Sequence, residues 1–265
     1  MRTTLACIGA LLLATAAHAD PGQLTNAAAG DTSKLGKDGL VSEPRGFAQG
    51  KNKQCCGYPL AEERGFRYTF YWVADQDRHD DPDRWSTLPP GVLDFQKVGI
   101  ERAPVELYTR EGLPLGTFVE SFVRELKMEG SGWLSDGRVV NYDGRCKYGV
   151  GTCFEVLDLR HYPFGRGANR RPLVPFRSVA VDRRLVAIGD TLYVPEFDGL
   201  PLPDGNVHDG CLRADDTGGA IQRRLIDFFV AEMENFMWVN EHMWFDRYFT
   251  PHIEAPRCDY LRDPR

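Results

Sequence analysis

The sequence predicts a mainly β fold, either a barrel or a sandwich, with one helix close to its C-terminus. Short β-prone segments recur at a spacing punctuated by turns, which is typical of barrels and sandwiches. The chain contains 17 Pro and 27 Gly among 265 residues, and these turn formers argue against a helical bundle or a coiled coil. Since 42% of the residues are hydrophobic, the chain has enough apolar material for a large core.

The N-terminus is typical of a secretory signal peptide over residues 1–19. Arg2 supplies a positive charge, residues 5–16 form an uncharged apolar stretch, and residues 17–19 (Ala-His-Ala) match a small-x-small cleavage site. A buried N-terminal helix is the alternative interpretation. Cys7 precedes most of the apolar stretch, whereas the lipid-modified cysteine of a lipoprotein follows it. We therefore expect a soluble exported protein, periplasmic or extracellular, that can associate with the cell wall or the outer membrane.

Charge and apolar content together exclude two classes of protein. Lys and Arg number 32 against 38 Asp and Glu, a formal net charge of −6 that becomes −7 when residues 1–19 are removed. A nucleic-acid-binding protein needs a dense positive face, so nucleic acid is not an expected partner. No later segment is long and apolar enough for a polytopic membrane protein, so we expect no stable membrane insertion. The expected oligomeric state is a monomer.

Removal of the signal peptide leaves six cysteines, and an even number in an oxidising compartment favours disulfides. They are Cys55, Cys56, Cys146, Cys153, Cys211 and Cys258. Cys146 and Cys153 flank a glycine-rich turn and are the most plausible local pair. We expect the adjacent Cys55 and Cys56 to reach the two remaining cysteines, in either order. Zinc is the alternative, but adjacent cysteines without a paired C-x-x-C are poor zinc ligands, so no metal or other cofactor is expected.

Residues 20–64 are predicted to form a flexible leader, because most of this segment lacks apolar periodicity and is rich in small and polar residues. Ordered structure is expected to begin near Gly65. Residues 66–73 (FRYTFYWV) are strongly β-prone and partly alternating. Residues 78–84 (RHDDPDR) are charged but lack the spacing of a calcium loop, so we expect a solvated loop.

A hairpin, further strands and two helices follow. Residues 105–108 and 115–119 flank a turn and predict the hairpin, and residues 120–127 predict a short helix. The other predicted strands are residues 138–142, 154–157, 176–181, 191–194, 211–214 and 225–230. Residues 231–245 (AEMENFMWVNEHMWF) predict the C-terminal helix. Its Met and aromatic side chains can line a ligand groove, but at helical spacing they more often face the core.

Asp227 is a carboxylate within an otherwise apolar strand, residues 224–230 (RLIDFFV). In a strand, Leu225, Asp227 and Phe229 share one face. Loss of water among apolar neighbours disfavours the charged carboxylate and raises its pKa. A carboxyl group that is neutral near pH 7 is suited to act as a general acid in glycosidic cleavage. The alternative is a structural Asp satisfied by backbone amides or by an arginine.

The region from residue 176 to residue 230 resembles the three-Asp (3D) domain, a double-psi β-barrel module shared with the catalytic domain of membrane-bound lytic transglycosylase A. The matching segments are residues 178–182 (SVAVD), 188–193 (IGDTLY), 216–221 (DTGGAI) and 226–229 (IDFF). The three aspartates that give the domain its name correspond to Asp182, Asp216 and Asp227. The combination of Asp-Thr-Gly-Gly-Ala-Ile with Asp-Phe-Phe is specific, whereas each piece alone is weak.

The resemblance implies a six-stranded double-psi β-barrel over residues 65–250, with loop and hairpin insertions, a short C-terminal helix and a C-terminal tail at residues 251–265. Residues 66–73 and 132–142 also resemble earlier strands of that barrel. Membrane anchoring does not carry over to this chain. The chain also offers only an insert at about residues 76–126 in place of the large second domain that walls the transglycosylase groove.

The resemblance further implies that this chain cleaves the bond between N-acetylmuramic acid and N-acetylglucosamine in peptidoglycan glycan strands. Protonated Asp227 would donate to the bridging oxygen, and its carboxylate would then accept the proton of the muramyl C6 hydroxyl as that oxygen attacks C1. The product is a 1,6-anhydro sugar, and no second protein carboxylate is obligatory. Asp182 and Asp216 would orient the site, and their charges would help to keep Asp227 protonated. Expected substrate-binding residues are Tyr71, Thr217, Gly218, Gly219, Arg223 and Arg224.

Three pairs of adjacent arginines flank these motifs, at residues 170–171, 183–184 and 223–224. They can receive peptide carboxylates of the substrate, with solvated strand ends as the alternative. The histidines show no metal-ligand spacing, and the chain contains neither a G-x-S-x-G nor a P-loop motif.

Two functions from other classes remain open at this point. A non-catalytic, expansin-like module would bind cell-wall glycans without needing a raised pKa on Asp227. A structural envelope protein that uses the barrel only as a scaffold would have no affinity for glycans.

Overall fold

The computed structural model describes residues 53–60, 65–81, 104–242 and 248–262. Within these ranges the chain forms a seven-stranded sheet and a six-stranded sheet, with few helices. The prediction of a mainly β fold is therefore confirmed. The predicted signal peptide and most of the predicted leader lie outside the described residues.

The strands of the described residues are, in chain order, β1 (Tyr58–Pro59), β2 (Arg67–Trp72), β3 (Ala74–Asp75), β4 (Pro104–Tyr108), β5 (Pro114–Val119), β6 (Ser131–Trp133), β7 (Val139–Arg145), β8 (Thr152–Leu157), β9 (Ser178–Ala180), β10 (Thr191–Pro201), β11 (Val207–Asp216), β12 (Leu225–Ala231) and β13 (His252–Ile253). The α-helices are α1 (Lys53–Cys56), α2 (Gln76–Asp80), α3 (Glu120–Glu129) and α4 (Met233–His242), and short 3₁₀ helices span Ala168–Arg170 and Pro256–Leu261.

The seven-stranded sheet is a curled half-barrel with the strand order β1-β13-β10-β11-β9-β12-β2. Strand β12 lies between two partners, parallel to β2 and antiparallel to β9. The inner face of β12 presents Ile226, Phe228 and Val230 to an aromatic-rich core. In that core the rings of Phe197 and Phe228 lie 4.3 Å apart, so burial of large rings stabilises this sheet.

The six-stranded sheet has the order β3-β6-β7-β8-β4-β5 and begins directly after the half-barrel strand β2. The amide of Val73, between β2 and β3, donates to the carbonyl of Ala231 at the end of β12 (2.9 Å). The chain then leaves the first sheet, and β3 pairs with β6 in the second. The two sheets are thus joined at the C-terminal ends of the parallel strands β2 and β12.

Helix α3 covers the second sheet with one apolar face. Phe122, Val123 and Leu126 are buried, at the spacing that places side chains on one side of a helix. They pack in one cluster with Leu107 and Phe154 from the strands. The helix ends at Gly130, whose left-handed backbone (φ 84°) lets its amide bond the carbonyl of Leu126.

The second sheet differs from the expected insert of residues 76–126. Strands β6 and β7, which resemble strands of a barrel in sequence, pair with β3 and β8 and with each other. The second sheet therefore extends to Leu157, beyond the expected insert, and it includes residues 132–142, which were expected to belong to the barrel. An alternating pattern identifies a strand but not its partner, which explains the difference. The double-psi topology stays a prediction.

The predicted helices and the predicted charged loop have different outcomes. Helix α3 begins at the predicted residue, and α4 covers residues 233–242 of the predicted 231–245, with residues 243–247 outside the described ranges. The solvated loop predicted at residues 78–84 is wrong for its first part. Arg78 and His79 lie in α2 and are buried, because each is held by a carboxylate on a neighbouring element.

The disulfides correct one expectation and confirm another. Cys146 bonds to Cys153, as predicted. Cys55 bonds to its neighbour Cys56, and Cys211 bonds to Cys258, so the expected links between these two pairs are wrong. The Cys211–Cys258 bond ties β11 to the last 3₁₀ helix, and Cys56 packs against the same cluster.

No helix within the described ranges is long and apolar enough to cross a membrane.

Removal of the Cys211–Cys258 disulfide, by Cys211→Ala with Cys258→Ala, is expected to lower the free energy of unfolding by about 4 kcal/mol. Removal of the Cys146–Cys153 disulfide, by Cys146→Ala with Cys153→Ala, is expected to lower the free energy of unfolding by about 2.5 kcal/mol. The difference arises because the first bond joins residues 47 apart and the second joins residues 7 apart. Urea denaturation of the two double variants measures both losses, and a larger loss from the shorter loop would contradict this account.

Candidate functional site

A cleft of about 1060 Å³ lies between the half-barrel and the second sheet. The half-barrel lines it with side chains of β2 and β12, the end of β11 and residues 217–221. The opposite wall comes from α3 and from residues of β6 and β7. This opposite wall therefore begins within the expected insert at about residues 76–126 and continues beyond it into β6 and β7.

Asp227 lies on the cleft side of β12, together with Leu225. The register of β12 with β2 places Thr69 directly beside it, and the Thr69 hydroxyl donates to Asp227 Oδ1 at 2.6 Å. Burial raises the pKa of Asp227 from 3.8 to about 6, although the Thr69 hydrogen bond acts in the opposite direction. The expected raised pKa of Asp227 therefore has burial as its cause.

Asp216 ends β11 and lies in the same cleft. Its Oδ1 accepts a hydrogen bond from the amide of Thr217 at 2.7 Å. Burial raises the pKa of Asp216 to about 6, and the charge of Asp227 adds to the rise. Asp216 therefore holds its proton to higher pH than an exposed carboxyl group, chiefly because it is buried.

Tyr71 lies on β2 and lines the same cleft as these two carboxyl groups. Its hydroxyl approaches Asp216 without the geometry of a full hydrogen bond. Burial raises the pKa of Tyr71 well above its ordinary value, and the charges of Asp216 and Asp227 raise it further. The hydroxyl therefore stays protonated and can act only as a neutral hydrogen-bonding group near neutral pH.

Asp182 follows β9 and does not line the cleft. Both of its carboxylate oxygens contact the Arg184 guanidinium, and Oδ2 also accepts from the amide of Arg223 at 2.6 Å. These partners hold the pKa of Asp182 far below its ordinary value. Burial and Thr69 account for the pKa shift of Asp227, without a contribution from Asp182. Asp182 instead fixes the end of the loop that begins at Thr217.

That loop places three of the expected binding residues in the cleft and two outside it. Thr217, Gly218 and Gly219 line the cleft. Arg223 and Arg224 are exposed and lie outside its lining. Among the described residues, the cations that do line the cleft are Arg124, Lys127 and Arg166.

Ion pairs within the protein occupy members of the other arginine pairs. Arg171 Nε lies 2.7 Å from Asp215 Oδ1, and Arg184 is held by Asp182. Asp215 is fully buried and also accepts from Arg213 and from Ser178 Oγ. Asp215, which directly precedes Asp216, thus anchors the loop before β9.

The carboxylates on α3 were not found from the sequence. Glu129 lines the cleft, and its Oε2 accepts from the amide of Trp72 at 3.1 Å. Burial raises the pKa of Glu129 well above its ordinary value, and the charges of Glu125 and Asp227 act in the same direction. In the sequence, Glu125 lies between Phe122 and Leu126 on the apolar side of an amphipathic helix, and in the structure it is buried. A carboxylate at a core-facing position is unusual, and this pattern could have identified Glu125 from the sequence.

The described residues contain no group of three or more His, Cys, Asp and Glu that could hold a metal ion.

Residues 177–236 match the family model described as the 3D domain. The match runs from the start of β9 into α4 and includes Asp182, Asp216 and Asp227, as the resemblance implied. The match covers less than half of the chain. No curated protein matches the chain.

Solved structures of lytic transglycosylases are similar to this chain at low identity. MltA from E. coli with bound chitohexaose is 14% identical over 73% of each chain, with a TM-score of 0.45. A membrane-bound lytic murein transglycosylase from Agrobacterium tumefaciens is 14% identical over 78% of this chain and 75% of its own, with a TM-score of 0.37. LtgG from Burkholderia pseudomallei is 16% identical over 74% and 66%, with a TM-score of 0.28.

Asp227→Asn is expected to stabilise the fold at pH 8 and to have little effect at pH 4. In the folded wild type the pKa of Asp227 is raised from 3.8 to about 6, so the folded state loses stability as the pH rises through this window. Asn avoids the buried charge and keeps an oxygen for Thr69. The expected gain at pH 8 is about 1–3 kcal/mol.

Urea denaturation at the two pH values measures this gain, with Asp204→Asn as the control. Asp204 is exposed and its pKa is lowered by hydrogen bonds from Asn206, so its replacement should give no stabilisation at pH 8. A destabilised Asp227→Asn at pH 8 would contradict the stated cause of the pKa shift.

Proposed function

We propose that this protein is a peptidoglycan lytic transglycosylase that cleaves the bond between N-acetylmuramic acid and N-acetylglucosamine. The observation that carries the proposal is a half-buried carboxyl group, Asp227, that lies in a large cleft with a pKa of about 6 and belongs to a 3D domain. In the resemblance to the transglycosylase catalytic domain, Asp227 corresponds to the residue that acts as the single acid and base. The substrate in this proposal is the glycan strand, and the cleft is large enough to hold more than one of its sugars.

Asp227 acts first as a general acid in this mechanism. Because Thr69 donates to Oδ1, the proton belongs on Oδ2. Oδ2 transfers it to the oxygen that joins the two sugars, and the bond to muramyl C1 breaks through an oxocarbenium-like transition state. The resulting Asp227 carboxylate then accepts the proton of the muramyl C6 hydroxyl as that oxygen bonds to C1. The nucleophile comes from the substrate, and the product is a 1,6-anhydro sugar.

Neighbouring groups support the two protonation states that Asp227 needs. A hydrogen bond from Thr69 stabilises the carboxylate, and burial stabilises the neutral acid, so the pKa lies within reach of mildly acidic or neutral pH. Asp216 and Tyr71 lie beside it, and we propose that they position the sugar, with Thr217, Gly218 and Gly219. Asp182 takes a supporting role in this mechanism, since it holds Arg184 and the Arg223 amide.

The proposed location is outside the cytoplasm, in the periplasm or the extracellular space. Three disulfides in the described residues are typical of an oxidising compartment, and peptidoglycan lies there.

Digestion of purified sacculi tests the proposed reaction. Wild type is expected to release soluble 1,6-anhydro muropeptides, identified by mass spectrometry, and Asp227→Asn is expected to reduce their rate of release by about 10²- to 10⁴-fold. Asp204→Asn serves as the control for removal of an exposed carboxylate. Products with reducing ends would indicate a hydrolase, and binding to sacculi without products would favour the glycan-binding module. A folded wild type that neither binds nor cleaves would overturn both.

The pH dependence of the same digestion is expected to have a basic limb near pH 6. Asp227 must carry a proton before cleavage, so kcat/KM should fall about tenfold per pH unit above its pKa of about 6. A profile that stays flat from pH 5 to pH 8 would contradict the role of Asp227 as the acid.

Thr69→Val is expected to move this basic limb to higher pH and to lower kcat. The Thr69 hydroxyl lowers the pKa of Asp227, so its removal raises that pKa, and it also leaves the carboxyl group less well oriented. Thr117→Val, on an exposed position of β5, is the matched control. An unchanged basic limb in Thr69→Val would show that the titrating group is not Asp227.

A further inference from the structure

A serine, a histidine and a glutamate form a hydrogen-bonded chain at the wall of the cleft opposite Asp227. Ser121 Oγ lies 2.9 Å from His79 Nδ1. His79 Nε2 in turn contacts Glu125 Oε2. A nucleophile within hydrogen-bond reach of a base, with the base oriented by a third group, is the arrangement of an activated serine.

Ser121 is the most exposed of the three side chains, and the other two are almost fully buried. Ser121 is half-buried and lines the cleft, so a substrate can reach its hydroxyl. His79 and Glu125 have only 1% and 6% of their side chains exposed, and Glu125 also lines the cleft. Water therefore has little access to the base and to the carboxylate that orients it.

The hydrogen bonds fix the tautomer of His79. Glu125 receives the indole N–H of Trp72 on Oε1 at 2.6 Å, so its Oε2 is left to accept from His79. With the ring proton on Nε2, the Nδ1 atom of His79 has a lone pair facing Ser121 Oγ. It can therefore accept the proton of the serine hydroxyl.

The start of helix α3 supplies donors for an oxyanion. Ser121 is the second residue of α3, and Val119 caps the helix without a side-chain hydrogen bond. The first N–H groups of an α-helix have no acceptor within the helix, and they carry its positive dipole end. Backbone amides of this turn are thus suited to stabilise the negative charge that develops on the carbonyl oxygen when Ser121 attacks the carbonyl carbon.

We propose that Ser121, His79 and Glu125 are a second active site that hydrolyses O-acyl esters on sugars in the cleft. Ser121 Oγ bonds to the ester carbonyl carbon as its proton passes to His79 Nδ1. The tetrahedral intermediate collapses, the bond to the sugar oxygen breaks, and His79 returns the proton to that oxygen. Water then attacks the acyl-serine with His79 again as the base, which releases a carboxylic acid and restores Ser121.

The identity of the alcohol as a sugar rests on the proposed function. In that function the muramyl C6 hydroxyl is the nucleophile, so an acyl group on this oxygen would block cleavage. Removal of the acyl group in the same cleft would produce the free hydroxyl that the reaction at Asp227 consumes. The two sites would then act in sequence on one strand.

Labelling with a fluorophosphonate and hydrolysis of p-nitrophenyl acetate test the esterase site without peptidoglycan. Wild type is expected to be labelled on Ser121, as located by mass spectrometry of the digested protein, and to hydrolyse the ester. Ser121→Ala is expected to lose labelling and to lose at least about 10²-fold in kcat/KM. Ser135→Ala, at an exposed serine outside the cleft, is the matched control for the loss of a hydroxyl.

Absence of label on Ser121, or hydrolysis that is equal in wild type and Ser121→Ala, would overturn the esterase site. Because wild type is also assayed on sacculi, the two proposals fail separately. Anhydro products without esterase activity would overturn only the second site, and ester hydrolysis without anhydro products would overturn only the transglycosylase.

Glu125 is a positioning residue in this site, so its test separates chemistry from folding. Glu125→Gln is expected to lower kcat for the ester by at least about tenfold with KM nearly unchanged, and Glu125→Asp to restore part of kcat. A loss that follows only the fraction of folded protein, measured by circular dichroism, would assign Glu125 a structural role and would overturn its part in the site.

Discussion

The parallel pairing of β12 with β2 is the constraint on which the rest of the site depends. Its register sets Thr69 beside Asp227, and a hydroxyl at this place is what orients the carboxyl group. The same strand β2 ends at Trp72, whose amide and indole N–H groups bond Glu129 and Glu125 on α3. One strand pair therefore fixes the candidate acid and also joins the half-barrel to the opposite wall of the cleft.

The three aspartates within the region that matches the 3D domain have different environments. Asp182 is fully satisfied by an arginine and a backbone amide, so it stays charged and holds a loop. Asp216 and Asp227 lie in the cleft with few partners, so burial raises their pKa values to about 6. Ionisation of these two buried carboxyl groups lowers the stability of the folded state. Ion pairs elsewhere, such as that of the buried Asp215 with Arg171, hold the surrounding loops in place.

The cleft is built from two walls that differ in kind. The half-barrel presents carboxyl groups on rigid strands, and α3 presents the start of a helix backed by a buried His79–Glu125 pair. Acid catalysis needs a proton held at low dielectric, whereas an activated serine needs a base and backbone donors. Both proposed reactions would therefore take place on a strand lying in one groove.

The sequence by itself determined the mainly β class, most of the strand positions, the helices α3 and α4 and the unusual carboxylate in β12. These features follow from local patterns, since alternation and burial on one strand or helix are encoded by consecutive residues. The 3D motif also identified Asp182, Asp216 and Asp227, though not which of them face the cleft. The tertiary structure decided the pairing of β6 and β7 in a second sheet, the disulfide partners of Cys211 and the meeting of His79 with Glu125. The pairing of β6 with β3, the Cys211–Cys258 bond and the His79–Glu125 contact join residues far apart in the chain, and side-chain alternation is the same whichever strand becomes the neighbour.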